Sequence, residues 1–303
     1  MTGLVAAGKP LTCSTTAGFR FTVTGGWHSA LAGVLASIVF VAIVFVLTND
    51  RAAEGHRHER GPSLSILFVT FFVFLVASFL WATVAGFPTT SVATRSSAAV
   101  PVAVQPVLAV PAAWLLSAGA TLLFFAISWL VSAYADQHDP YSGVLSTAIW
   151  CFRLVAWLTA VEVWIAIETA TRALAGRGWW YSPMGVGVVA VVSVPFLFAD
   201  RIAARIPSMA QRDHEAGPTL RRALGFIGTS SVLMVALFAV ITGQPEASLL
   251  HEGRWCAGGL PPGGAIVALG TMALFLVSIG MLSHALPRQA ANTTASQPQP
   301  VTG

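Results

Sequence analysis

Charge is what this chain has least of. Only 9% of its 303 residues are Asp, Glu, Lys or Arg, where a soluble domain of this size carries about a quarter. There is one lysine, Lys9, against 15 arginines. Cysteine is also scarce, at three residues, too few for a disulfide-built scaffold. The sequence has no phosphate-binding glycine loop, no zinc-protease helix motif and no G-x-S-x-G nucleophile turn, so those three catalytic classes are set aside. No two histidines fall in the middle of apolar blocks, which argues against a bis-histidine haem protein. The last apolar block has no lysine, which argues against a retinal Schiff base. No loop is large enough for a separate soluble catalytic domain. The expectation is a protein with no cofactor and no metal.

What is present in abundance is apolar sequence. Hydrophobic residues make up 55% of the chain, and the mean hydropathy is +0.75. These residues come in long blocks, and ~18 or more in a row are enough to cross the hydrocarbon layer of a bilayer. Within lipid a backbone must close its own hydrogen bonds, so each block reads as a helix. The fold class is therefore all-α, a polytopic transmembrane helix bundle. Seven spans are expected: Trp27 to Thr48, Leu64 to Phe87, a third within Val107 to Ala135, Val144 to Ala170, Pro183 to Phe198, Leu224 to Thr242, and Gly264 to Leu286. The fifth is the shortest and contains Pro195. The odd number argues against a simple two-half transporter of the inverted-repeat type.

The organisation follows from those spans. Residues 1–26 form an extracytoplasmic N-terminal segment with no apolar h-region, and so no signal peptide. Residues 27–286 form the membrane domain. Residues 287–303 form a polar cytoplasmic tail, read as disordered from its Gln-Pro-Gln-Pro composition. The segment Pro88 to Gln105 reads as an irregular surface loop.

The net charge of +4 and pI near 9.4 do not indicate nucleic acid. The arginines lie in short loops between apolar blocks, where topology accounts for them. Arg51, Arg57 and Arg60 fall in the first connection, and Arg201, Arg205, Arg212, Arg221 and Arg222 in the fifth. Positive loops stay inside, so the N-terminus is expected outside and the C-terminus inside. Trp27, Trp179, Trp180, Tyr181 and Trp255 fall at outer span edges, the depth amphipathic rings favour. The arginine-over-lysine skew and abundant alanine suit a GC-rich bacterial genome, and with it a bacterial inner membrane. Cys13 and Cys256 would then both face an oxidising compartment, as a disulfide or as two free thiols.

The fourth span carries the chemistry. Trp150, Trp157 and Trp164 recur every seven residues and line one stripe. Arg153 lies on that stripe, and Glu162, nine residues on, faces the opposite side. A charge at the bilayer centre costs about 2.5–3.5 kcal/mol on insertion scales, and such residues usually face a bundle interior or a wet cavity. Arg153 and Glu162 cannot pair with each other, so each needs another partner or water. Candidate substrate or ion-site residues are therefore Glu162, Arg153, Trp157 and Trp164. The bland alternative has Arg153 snorkelling and Glu162 wet at the outer surface. Glu168 and Arg172, four apart, read as an ordinary helix-end ion pair.

Weaker features are read as structural. The histidines at positions 56 and 58 sit among arginines that would repel a cation. His28 and His284 fall at opposite membrane faces. Cys151 reads as a small core residue. Ser29, Gly33 and Ser37, with Ala32 and Ala36, recur at spacings of four and suit close helix approach. Ser128, Ser132, Thr229, Ser230 and Ser231 either line a polar path or bond their own helix carbonyls.

Two functional classes remain. One is a transport or export component, or an accessory membrane subunit, handling a small apolar or ionic solute. The other is a membrane-embedded enzyme acting on an isoprenoid or lipid, with Glu162 as the acid. The expected partners are the lipid bilayer and other membrane subunits, and not nucleic acid.

Overall fold

The computed structural model describes residues 21–48, 57–86, 91–92, 100–101, 104–135, 142–175, 216–243 and 262–285. Six helices account for nearly all of them: α1 (Phe21–Thr48), α2 (Arg57–Gly86), α3 (Val104–Ala135), α4 (Ser142–Ala175), α5 (Ala216–Gly243) and α6 (Pro262–Ala285). Between α2 and α3, β1 (Ser91–Val92) pairs antiparallel with β2 (Val100–Pro101), with Ser91 opposite Pro101 and Val92 opposite Val100. The connection read as irregular thus holds a two-residue ladder. The expected fifth span, Pro183 to Phe198, lies outside the described residues, as do Cys13, Cys256, Trp179, Trp180, Tyr181 and Trp255.

The six helices coincide with the other six expected spans, and each begins earlier than the apolar block inside it. The block marks the hydrocarbon-matched part. The helix continues past it because backbone bonding does not stop where hydropathy does. Five helices are long and apolar enough to cross a membrane. In α6 the described apolar stretch is the shorter Gly270–Ser283. Among the described residues the fold is all-α apart from that short ladder, and the chain is a multi-pass membrane protein.

The helices run antiparallel in a chain of neighbours, α1 on α2, α2 on α3 and α3 on α4. The register between α1 and α2 is marked by paired serines. Ser29 donates its hydroxyl to the Ser78 carbonyl, and Ser78 donates to the Ser29 carbonyl, each at 2.9 Å. Ala32 and Ala36 are buried in the same seam. Ser37 has rotated out of it and bonds its own helix at the Gly33 carbonyl. The small-residue pattern is thus an interface over its first two turns only.

Helix α3 is the hub. It packs on α2, α4 and α5 and touches α1 and α6. Most of its span is buried, whereas most of the α1 span is not. Pro111, in its N-terminal third, removes the amide that would bond the carbonyl of residue 107. The core gathers around Trp114, Phe74, Phe125, Phe152 and Phe275, all essentially inaccessible. By contrast α4 buries one face, carrying Phe152, Ala156, Thr159, Ala160, Val163, Ile167 and Ala170. The spacing is the three-to-four period of a helix with one packed stripe.

Candidate functional site

Glu162 lies eight residues before Ala170, where the span of α4 ends, about 12 Å along the axis. His28 lies five residues after Val23, where the span of α1 begins, about 7.5 Å along its axis. The antiparallel arrangement puts both near the same end of the bundle. Nε2 of His28 is 3.7 Å from Oε1 of Glu162. That is an ion-pair separation and too long for a hydrogen bond. The other carboxylate oxygen, Oε2, accepts a long bond of 3.3 Å from the Ser117 hydroxyl on α3.

Local structure fixes the imidazole. Its Nδ1 lies 2.8 Å from the Thr24 carbonyl, one turn back on α1. A carbonyl only accepts, so Nδ1 carries the hydrogen. Nε2 is thereby the nitrogen presented to Glu162. The ring also stacks on the Trp81 indole of α2, with centroids 4.5 Å apart and planes 19° off parallel. Trp81 is buried, and its Nε1 has no hydrogen-bond partner among the described residues. Four helices therefore contribute one residue each: His28, Trp81, Ser117 and Glu162.

The packing around this group is uneven. Among the described residues α1 packs chiefly along α2, and α4 chiefly along α3. The His28–Glu162 pair links α1 to α4. Below it, hydroxyls continue between α3 and α4. Thr121 and Thr159 are 3.1 Å apart, and Ser128 bonds the Phe124 carbonyl of its own helix and the Ala148 carbonyl of α4. Thr121 and Thr159 also bond carbonyls of their own helices, as do Thr229 and Ser231. Self-bonding is the commoner reading borne out for these hydroxyls.

The residues singled out from the sequence divide into two groups. Glu162 stands in the four-helix cluster. Arg153, Trp157 and Trp164 do not join it. Trp157 is about 140° around α4 from Glu162, and Arg153 about 180°. Arg153 and Trp157 are half-buried, while Trp150 is 51% exposed at the lipid-facing flank. Trp164 packs partly against the core. Glu168 is buried on the packed face of α4, and the side chain of Arg172, its expected ion-pair partner, lies outside the described residues.

Sequence reasoning missed His28, Trp81 and Ser117. A usable signal existed for His28. It is the lone histidine in the first span, and it sits at the membrane face where the fourth span ends, so it was an available partner for an acid that needed one. Trp81 and Ser117 carried none, being ordinary residues of apolar helices. Among the described residues no group of three His, Cys, Asp or Glu could hold a metal ion. No protein-family model, curated protein or solved structure matches the chain.

Proposed function

We propose that this chain is a transport or export component of a bacterial inner membrane, and that Glu162 is its solute or proton site. One observation carries the reading: a carboxylate within a membrane span is paired with a histidine of another span. Acids inside spans usually mark substrate or ion pathways and proton relays. A pair joining two helices that pack chiefly on other partners can break without disturbing the α1–α2 and α3–α4 contacts, and a solute-handling site needs that freedom. Arg153, Trp157 and Trp164 remain candidates for a second contact surface on the other flank of α4. In this reading the bundle has seven spans, with the N-terminus outside.

The enzyme alternative draws less support. Trp157 and Trp164, named for stabilising a carbocation, lie round the helix from Glu162, and the face of the nearby Trp81 is taken by His28. An accessory-subunit role makes no use of the bridged acid.

The test is flux in proteoliposomes loaded with candidate ions and small amines, with pH recorded on both sides. Glu162→Gln should abolish flux or its proton coupling while the protein still inserts. Unaltered transport by that variant would remove Glu162 from the mechanism.

A further inference from the structure

The His28–Glu162 pair has a definite proton requirement. Because Nδ1 of His28 donates to the Thr24 carbonyl, a neutral imidazole would present a bare lone pair at Nε2 to the Glu162 carboxylate. Lone pair would face lone pair at 3.7 Å. Attraction needs one proton in the pair, on Nε2 or on the carboxyl. Among residues with described side chains, α2, α3 and α6 bring no other titratable group, α1 brings only His28, and α5 brings Arg221 and Arg222, both exposed. On α4 itself Arg153 faces the opposite side, Cys151 is further off, and Glu168 is a second acid in the packed face.

The imidazole also occupies a place suited to a cation. A cation over an indole face within ~6 Å of the ring centroid is attracted by it, and His28 sits 4.5 Å from the Trp81 ring while its Nε2 lies 3.7 Å from a carboxylate oxygen. The surroundings are apolar. Leu31 lies one turn from His28, and Leu158 and Ile165 lie one turn to either side of Glu162; all three are exposed.

We propose that protonated His28 is a tethered resident cation, and that the solute is a lipophilic organic cation that displaces it from Glu162 and Trp81 in exchange for one proton. This rests on the reading of Glu162 as the solute site and names the solute's class. The balance is simple. The incoming cation pairs with the Glu162 carboxylate, His28 leaves as the neutral imidazole, and its proton goes to water. No covalent bond forms or breaks beyond that N–H. The apolar body of the solute would lie along the α1–α4 seam.

Tetraphenylphosphonium binding to the purified full chain in detergent tests this, with proton release followed by an indicator dye in weak buffer. The expected result is saturable binding, about one proton released per cation, and weaker binding as pH falls. Glu162→Gln should abolish binding, Glu162→Asp should retain it, and Trp81→Leu should weaken it about tenfold. His28→Ala should bind at least as tightly as the parent, but with altered proton release. Binding that ignores pH, equal binding of tetraphenylborate, or loss of binding in His28→Ala would overturn the proposal. Should Glu162→Gln fail to fold, as read by circular dichroism and elution profile, the pH dependence of the parent and the His28→Ala result decide alone. Cation binding with proton release but no proteoliposome flux would sink the transport reading and leave this one standing. Flux of another solute with no cation binding would do the reverse.

Discussion

A Cβ placed on Gly119 of α3 would come within 2.8 Å of the Phe74 ring of α2. Phe74 is fully buried, so its ring has nowhere to retreat. The close approach of these two helices brings Trp81 of α2 and Ser117 of α3 to the same end of the bundle. Gly119→Ala should therefore destabilise, since overpacking costs about 1–3 kcal/mol and outweighs the roughly 1 kcal/mol that alanine gains over glycine in a helix. Gly228 on α5 has nothing within 4 Å of a Cβ, and Gly228→Ala should be neutral or stabilising. Thermal unfolding in detergent should show opposite signs for the two. Equal shifts would mean that the α2–α3 contact is looser than described.

The reciprocal serine clasp makes a second case. Removing one hydroxyl, as Ser29→Ala or Ser78→Ala, deletes one interhelical bond of 2.9 Å. Bonds of this kind inside membranes contribute about 0.6 kcal/mol on average. Each single variant should lose about that much, and the pair together somewhat less than double, because each hydroxyl bonds the other residue's carbonyl while the two hydroxyls also lie 3.4 Å apart. A double variant no worse than either single would show the two bonds to be one cooperative unit.

Ser117 separates orientation from charge at the site. Ser117→Ala removes the donor to Glu162 Oε2 but leaves Thr121 bonded to the backbone carbonyl of residue 117. Stability should fall by about 1 kcal/mol, and tetraphenylphosphonium affinity should change only a few-fold. Complete loss of binding would assign Ser117 a direct contact with the solute.

The tryptophan stripe should prove unequal along its length. Trp150 is half exposed, whereas Trp164 packs partly against the core. Trp150→Ala should be nearly silent in thermal stability. Trp164→Ala should cost about 2–3 kcal/mol, somewhat below the range for fully buried large-to-small changes. The reverse order would place the lipid-facing side of α4 wrongly.

The direction of the chain is open to labelling in intact cells. With the N-terminus outside, Cys256 should react with a membrane-impermeant thiol reagent added externally. Labelling only by a reagent confined to the inside would invert the topology and move the His28–Glu162 end to the cytoplasmic face.

Hydropathy by itself determined that this is a helical membrane bundle and where six of its helices run. The physical reason is local: a backbone in lipid has no water to bond, so every apolar block long enough to cross must be a helix. Helical periodicity likewise separated Glu162 from Arg153 and the tryptophans, since faces follow from residue spacing alone. The partners of Glu162 were a different matter. Glu162 and His28 are 134 positions apart in the chain, and no periodicity links residues on different helices. Which helices neighbour each other is decided by small residues, by close approaches such as Gly119 on Phe74, and by the burial of α3 at the centre. Only that packing revealed that α1 and α4 meet at a His–Glu pair, and that an unremarkable histidine touches both the acid and an indole.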